Sequence, residues 1–474
     1  MTARLASARG ASIESSFEGR DGDLLLSGLW GFEREALRVD GDGRPAATDH
    51  PFPPERRDIT VDFAENQIEL VTRPAGSIEE ALGELRRLHR AAYEGMGEEL
   101  LWPLSVPGRW DEPERLRPAE FGGLPEMEES RLYRRWLLSR YGRARQAITG
   151  LHYNLSFSSG LWDRLRRAEG SRESPPDFAN RRYMDLARNF ARHRFLPIFL
   201  FSASPVLDRR FAAELAASAD PSSRAMGRTC LPSTASLRLG PLGYRLGRNT
   251  ANRIDMRFDS LAEYIGKLEA AVSPAGASPP LLRSEGEFYA PVRPKAAFPG
   301  SKASLAALKA KGIEYLELRI FDLDPFDPIG IGAEEAIWIH LFALACLFMP
   351  SPRLERGAAL DEPLSLAASA CSLEGAGRRT VPRLASAVGR AGAEILETMS
   401  RLARLLPSEY ELALGRSRDI LAGRRPRTVE RFGRLASEMG GGLAAGLDLA
   451  RRHRAAVAGV PERLEPREAM KWNS

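Results

Sequence analysis

The 474-residue chain could hold one large domain or two to three ordinary ones, and 43 % hydrophobic with 28 % charged residues is the balance of a soluble globular protein with ample core. Its 68 basic and 63 acidic residues leave a net charge of +5, with arginine spread along the chain rather than gathered in a block, so no nucleic-acid partner is expected. Three cysteines, Cys230, Cys346 and Cys371, stand far apart and in no C-x-x-C arrangement, which argues against a disulfide scaffold or a zinc site and fits reduced thiols in a cytoplasmic protein.

In chain order, residues 1–22 lack an apolar stretch and read as a loose leader before a core over 23–352. Residues 31–39, Gly-Phe-Glu-Arg-Glu-Ala-Leu-Arg-Val, read as a strand whose alternation puts Glu33 and Glu35 on one face. Two neighbouring carboxylates repel, and burying them without a counter-charge is costly, so a buried face of this kind needs a cation; hard divalent ions such as Mg²⁺ take oxygen ligands. A solvated face with Arg34 and Arg38 nearby explains this stretch alone equally well. Residues 58–73 have the β-branched and aromatic content of one strand, in which Glu65, Gln67 and Glu69 share a parity while Asp62 falls on the other unless a bulge intervenes. Ser77 and Glu80 form a capping box, and Ile78, Leu82, Leu85, Leu88, Ala92 and Met96 follow helical spacing, which predicts a helix over 78–98. Helices are also predicted over 131–145 and 176–195.

Between those helices, residues 151–157 read as a strand with His152, Asn154 and Ser156 together. Residues 312–323 read as another, with Tyr315, Glu317 and Arg319 on one face. The most apolar helix candidate, 336–349, contains His340 and is too short to span a bilayer; it reads as a buried core helix, and no membrane partner is expected. Beyond Pro352 the composition shifts to Ala, Leu, Arg and Glu, with breakers at Gly375-Ala-Gly and Gly440-Gly-Gly, which predicts an all-helical region over 353–474 packed on the core. Polar alternation in any one strand is ordinary for a half-exposed sheet. Several strands each offering a carboxylate or an imidazole look like one concave sheet lined with metal ligands.

The common nucleotide and hydrolase motifs fail. Gly300-Ser301-Lys302 lacks the upstream glycine of a phosphate loop, and Gly330-Ile331-Gly332 is followed by Glu335 where a dinucleotide fold needs a small residue. There is no His-Glu-x-x-His helix, no Gly-x-Ser-x-Gly elbow and no repeat of fixed period. ATP, if bound, would be held through metal ions and arginines rather than a glycine cradle.

Together the motifs resemble the proteobacterial-type glutamate–cysteine ligases, in order from the 31–39 strand through Ile-Thr-Val-Asp-Phe-Ala-Glu-Asn-Gln-Ile-Glu (59–69), Leu-Trp-Pro-Leu-Ser-Val-Pro (101–107) and Ile-Thr-Gly-Leu-His-Tyr-Asn-Leu-Ser (148–156). They continue with Ser-Leu-Arg-Leu-Gly-Pro-Leu-Gly-Tyr (236–244), Tyr-Ala-Pro-Val-Arg-Pro-Lys (289–295) and Gly-Ile-Glu-Tyr-Leu-Glu-Leu-Arg (312–319). The resemblance implies an α+β fold: a glutamine synthetase-like funnel of mostly antiparallel strands wrapped by helices, with a helical C-terminal region. It implies an enzyme that couples ATP to amide formation between the γ-carboxylate of glutamate and the amine of cysteine by way of γ-glutamyl phosphate, the first step of glutathione synthesis. A related γ-glutamyl ligase using another amine, and an inactive relative serving as a binding module, are the alternatives.

By the same resemblance, Glu33, Glu35, Asp62, Glu69, His152 and Glu317 are expected to hold two or three Mg²⁺ ions, with Mn²⁺ as a substitute; a core histidine bonded to backbone is the competing reading of His152. Arg319 and Arg134 are expected to meet the transferring phosphoryl, against an ion pair with Glu317 for the first and a solvated position beside Arg135 for the second. Tyr133, Leu137 and Gln146 are expected to wall the cysteine side chain, Tyr244 and Tyr289 to contact its carboxylate, and Arg238 to contact a glutamate carboxylate. Small-molecule substrates and a monomer or weak homo-oligomer complete the expectation.

Overall fold

In the computed structural model, which describes residues 20–218, 234–240, 242–243, 254–274, 280–296, 305–354 and 381–459, the acidic stretch near the N-terminus forms the longest strand, β1 (Gly28–Val39). It lies inside an antiparallel sheet with β2 (Ile59–Val61), β3 (Gln67–Val71), β4 (Leu100–Leu101), β5 (Leu151–Phe157), β6 (Val292–Lys295) and β7 (Tyr315–Phe321). The order across the sheet is β2-β3-β1-β5-β7-β6, with β4 beside the end of β1. Alternation divides the sheet cleanly. Phe32, Ala36, Ile68, Leu70, Leu151, Tyr153, Leu155, Leu316 and Leu318 enter the main hydrophobic core. Glu33, Glu35, Glu69, His152, Asn154, Glu317 and Arg319, of the other parity, occupy the opposite face. The sheet is thus a wall with one oily and one ionic side, set by sequence parity.

Helices wrap the sheet. In chain order they are α1 (Ile78–Gly95), α2 (Glu128–Tyr141), α3 (Arg143–Gln146), α4 (Ser159–Ala168), α5 (Pro175–His193), α6 (Phe195–Phe201), α7 (Arg209–Ala217), α8 (Leu261–Val272), α9 (Leu305–Lys311) and α10 (Ala333–Phe348). Five more follow: α11 (Val381–Ala391), α12 (Ala393–Ala403), α13 (Ser408–Leu421), α14 (Thr428–Glu438) and α15 (Gly442–Ala458). The described part beyond residue 353 is therefore helical, with Gly440 and Gly441 separating α14 from α15. Gly375 and the adjoining breaker lie outside the described residues, as do Cys230 and Cys371; Cys346 is a buried free thiol. Of the leader, only residues 20–22 are described, and they open a short 3₁₀ helix, Arg20–Leu26. No helix among the described residues is long and apolar enough to cross a membrane.

The expected elements shift where local chemistry intervenes. Residues 58–73 form two strands rather than one, because the chain turns back between Val61 and Gln67 to pair Thr60 with Glu69. The turn is held by Ala64 N–H donating to Gln67 Oε1 at 3.0 Å and by Asn66 Nδ2 donating to the carbonyls of Ala46 and Arg115 at 2.9 and 2.8 Å. Glu65 consequently leaves the ionic face and accepts from the amides of His50 and Glu120, each at 2.7 Å. The helix expected over 78–98 ends at Gly95; Ser77 Oγ caps it by accepting from Glu80 N–H at 3.1 Å, while the Glu80 carboxylate reaches Gly76 N–H rather than that of Ser77. The helix expected over 131–145 is split into α2 and α3 at Gly142, whose φ of +79° suits glycine alone. The helix expected over 176–195 runs over Pro175–His193, with Ser174 as its cap.

α10 is apolar on every side and wholly buried along most of its length, the behaviour expected of a helix with no polar face. It packs against α5 and α1 on the sheet side and against α12 and α13 from the C-terminal region. Phe342, fully buried, stacks on Trp338 at 5.1 Å and meets Phe190 of α5 edge-on at 5.7 Å. Phe342→Ala is expected to cost about 3–5 kcal/mol of folding stability, read from chemical denaturation.

Candidate active site

Sheet register decides which ionic side chains meet. Glu35 stands opposite Glu69 across β1 and β3, Glu33 opposite His152 across β1 and β5, and Asn154 opposite Glu317 across β5 and β7. Like charges directly opposite weaken a ladder, so the Glu35–Glu69 pair calls for nearby positive charge. Between Leu151 and Tyr153 the β5–β7 register slips, and β7 places two residues, Arg319 and Ile320, where β5 has His152 alone. Such a bulge leaves a backbone group outside the ladder. The Arg319 carbonyl is taken up instead by Arg238 Nη2 at 2.9 Å and the Tyr289 hydroxyl at 3.4 Å.

His152 is the hub of the ionic face. Its Nδ1 lies 3.1 Å from Glu33 Oε2 and 3.5 Å from Glu317 Oε1, and its Nε2 lies 3.5 Å from Glu35 Oε1. No backbone-bonded core histidine is seen here; the ring is shared among carboxylates. Asn154 Nδ2 donates to Glu33 Oε1 at 2.9 Å. Arg319 Nη1 donates to Glu317 Oε1 at 2.8 Å, and Lys295 Nζ lies 3.2 Å from Glu317 Oε2. The solvated alternative for the first strand does not hold: Arg34 and Arg38 point to the opposite side and are buried, and Arg38 pairs with Glu99.

The charges are unequally balanced. Burial works against an ionised Glu317, but Arg319, Lys295, His152 and Arg293 outweigh it and hold the carboxyl well below the usual range. Burial and the Glu317 charge push Glu33 up, yet its hydrogen bond to His152, with the His152 and Lys295 charges, leaves it low. Glu35 goes the other way, to about 6, because burial and the neighbouring Asp62 carboxylate prevail over His152, Arg238 and Arg319. Burial lowers Arg319, but Glu317, together with Tyr289, Glu35 and Glu33, more than offsets it and raises the guanidinium.

Beside this face lies a cavity of about 290 Å³ lined by Glu35, Asp62, Glu69 and His152 on one side and by Tyr133, Arg134, Leu137, Gln146, Arg238, Tyr289 and Arg319 on the others. Glu33 and Glu317 are not part of the lining but contact His152, which is part of it, and Tyr244 lies outside the described residues. Arg134 is not solvated: it is buried, its guanidinium packs over Phe121 at 4.6 Å, and Nε donates to the Asp62 carbonyl at 3.0 Å. Arg238 also turns its donors on main chain, the carbonyls of Phe321 at 3.0 Å and of Arg319. Tyr141, Arg145 and Glu287 line the cavity as well and were not singled out in the sequence. Lys295 was missed for a clear reason: its strand reads Val-Arg-Pro-Lys, and proline argues against a strand except at a sheet edge, which is where β6 lies.

The donor set suits a hard divalent cation. Glu33, His152 and Glu317 each bring one ligand atom to within 4.8 Å of the others, and Glu317 Oε2 is buried without a hydrogen bond among the described residues. Three further carboxylates, those of Glu35, Asp62 and Glu69, face the adjoining cavity.

Two outcomes follow from this geometry. A Cβ at Gly150 would lie 2.3 Å from the Arg238 guanidinium, so Gly150→Ala is expected to dislodge Arg238 and cost about 1–3 kcal/mol, read from denaturant unfolding. Because folding raises the Glu35 carboxyl to about 6, the folded chain holds that proton more tightly than the unfolded chain. The stability this contributes is complete below the ordinary carboxyl range and is lost as pH rises through about 6. In metal-free protein, Glu35→Gln should therefore be more stable than wild type above pH 7, by on the order of 2 kcal/mol, with the two converging towards pH 4; urea titrations across that range read it.

The comparisons with known proteins agree on one family. A family profile described as glutamate–cysteine ligase matches residues 15–361. The glutamate–cysteine ligase of Pseudomonas aeruginosa is 36 % identical over 354 residues, covering 70 % of this chain and 66 % of that enzyme, just under two thirds of its length. That of Pseudomonas entomophila is 34 % identical over 364 residues, covering 72 % of this chain and 68 % of its own. Among solved structures, the bifunctional glutathione synthetase of Pasteurella multocida superposes with a TM-score of 0.75 at 28 % identity, over 92 % of this chain and 53 % of that one. The glutamate–cysteine ligase of Francisella tularensis, solved in complex with AMP, gives a TM-score of 0.76 at 24 % identity over 91 % and 89 %, a likeness of fold. With an antiparallel sheet wrapped by helices and a profile match over most of its length, this chain belongs to the glutamate–cysteine ligase family.

Proposed function

We propose that this protein catalyses the ATP-dependent ligation of the γ-carboxylate of L-glutamate to the amine of L-cysteine. The observation that carries the reading is the convergence of Glu35, Asp62, Glu69, His152 and Arg319 around one cavity, with Glu33 and Glu317 clustered on His152. A γ-carboxylate oxygen of glutamate attacks the γ-phosphorus of ATP; the new P–O bond forms as the bond to the departing ADP oxygen breaks. The cysteine amine then attacks the acyl carbon of γ-glutamyl phosphate, the C–O bond to phosphate breaks, and the amine proton leaves with phosphate or to water.

In this reading Glu33, Glu35, Asp62, Glu69, His152 and Glu317 hold two or three Mg²⁺ ions, with Mn²⁺ able to substitute. Bound metal supplies neutralisation of the charge on the moving phosphoryl, the main requirement of such a transfer. Arg319, fixed on the same face by Glu317, offers a planar guanidinium to phosphoryl oxygens. Arg134 and Arg238 contribute fixed positive potential from the wall while their donors hold the main chain. Tyr133, Leu137 and Gln146 would bound the cysteine side chain, and Tyr289, with Tyr244, its carboxylate. The reading implies a cytoplasmic enzyme acting on small molecules at the first step of glutathione synthesis, as a monomer or weak homo-oligomer.

The test is turnover by purified protein with glutamate, ATP and Mg²⁺, offering cysteine, 2-aminobutyrate or simple amines. γ-Glutamylcysteine with matching ADP is expected. ADP release with amines but not cysteine would point to the other γ-glutamyl ligase, and no ATP turnover at all to an inactive relative. Glu33→Gln should lower kcat by about two to four orders of magnitude while the protein still folds, somewhat less stably because the Glu33 charge is held by His152 and Lys295. Glu33 is the cleaner choice, since removing the Glu317 charge would also strand Arg319 and Lys295.

A further inference from the structure

We infer that Glu287 and Tyr141 form a clasp that sets the width of the amine-substrate side of the cavity, with Glu287 acting as a positioning residue. The inference rests on the reading above and deepens it for one substrate.

Helix α2 forms that side with modest apolar anchoring: Arg131 and Arg134 are its buried residues, and Leu137 and Leu138, partly buried, pack against the second core cluster. Polar ties add to that anchoring. Tyr133, Leu137 and Tyr141 recur every four residues and so form a single stripe, and all three line the cavity. One end of the stripe is fastened to the short 3₁₀ segment Glu285–Glu287, where the Tyr141 hydroxyl donates to Glu287 Oε2 at 3.0 Å. The Tyr133 hydroxyl at the other end faces the same turn. Leu137 stands between the two, so the turn sets its distance from the opposite wall.

Glu287 is itself held rigidly. Its Oε1 accepts from the amides of Arg283 at 2.6 Å and Ser284 at 3.2 Å, which leaves Oε2 aimed at the helix. Space at the turn is tight: a Cβ on Gly286 would come within 3.4 Å of the Tyr133 hydroxyl. Two residues beyond Glu287, Tyr289 lies under Arg319 at 5.5 Å from its guanidinium carbon, so the same turn connects the amine side to the ionic face. The carboxylate of Glu287 has both oxygens engaged by the protein and so positions its neighbours.

The experiment measures KM for cysteine, glutamate and ATP separately. Wild-type formation of γ-glutamylcysteine is established first; its absence would remove the functional reading and the clasp with it. Tyr141→Phe is expected to raise KM for cysteine about tenfold or more, the effect of one hydrogen bond to a charged group, with KM for glutamate and ATP and kcat within about twofold of wild type. Glu287→Gln, which retains an acceptor and a donor, should restore most of the affinity that Glu287→Ala loses. The double variant Tyr141→Phe with Glu287→Ala should be no worse than Glu287→Ala alone, the sign of a shared interaction. With wild type active, an unchanged KM for cysteine in Tyr141→Phe overturns the clasp, as does a parallel rise for all three substrates or effects that multiply. Should Glu287→Ala fail to fold, Tyr141→Phe and Glu287→Gln decide alone.

Discussion

Four carboxylates on one face of a sheet, those of Glu33, Glu35, Glu69 and Glu317, constrain everything built around them, because that much like charge cannot be sequestered without cations beside it. The chain supplies some of the compensation itself, and supplies it unevenly. His152, Arg319 and Lys295 gather at the Glu317 end, where the carboxyls are held ionised. At the Glu35 end, with Glu69 opposite and Asp62 close by, protein cations fall short and the carboxyl climbs towards neutrality. The imbalance marks the cavity side as the place where added positive charge stabilises most.

Arginine does the structural counterpart of this work elsewhere. Buried guanidiniums staple irregular main chain: Arg38 donates to the carbonyls of Asp49 and Glu65, each at 2.9 Å, and Arg188 to those of Phe258 at 2.7 Å and Ser351 at 2.9 Å. Arg134 and Arg238 treat the edges of the cavity in the same way. Five donors in a fixed fork let one side chain satisfy several carbonyls that no ladder reaches. For these buried arginines the service is bracing of main chain rather than surface charge.

Parity made much of this readable before any coordinates. Period-two alternation in 31–39, 151–157 and 312–323 put the ionic residues on one face, and the sheet pairs those three strands as neighbours. What escaped depends on distant contacts. The turn between β2 and β3 is fixed by Asn66 reaching Ala46 and Arg115, and nothing local in 62–66 announces those partners. β6 is disguised by its proline, and its Lys295 with it. The short break at Gly142 separates Leu137 from Gln146 onto two helices, a division that helical spacing alone reads through. Tyr141 and Glu287 were invisible for a related reason: they are 146 residues apart and acquire meaning only as a pair.

The burial of α10 has a consequence for how the polypeptide must come together. Its sheet side meets α1 and α5, its far side is roofed by α12 and α13, and His340 at its centre reaches the Tyr410 hydroxyl at 2.7 Å. A chain severed after Ser351 would leave this greasy rod half bare, and no rotation could hide it, for it has no wettable flank. The helices of 381–459 are therefore the second half of one hydrophobic sandwich, and the ionic wall is backed, through α10, by residues far from it along the chain.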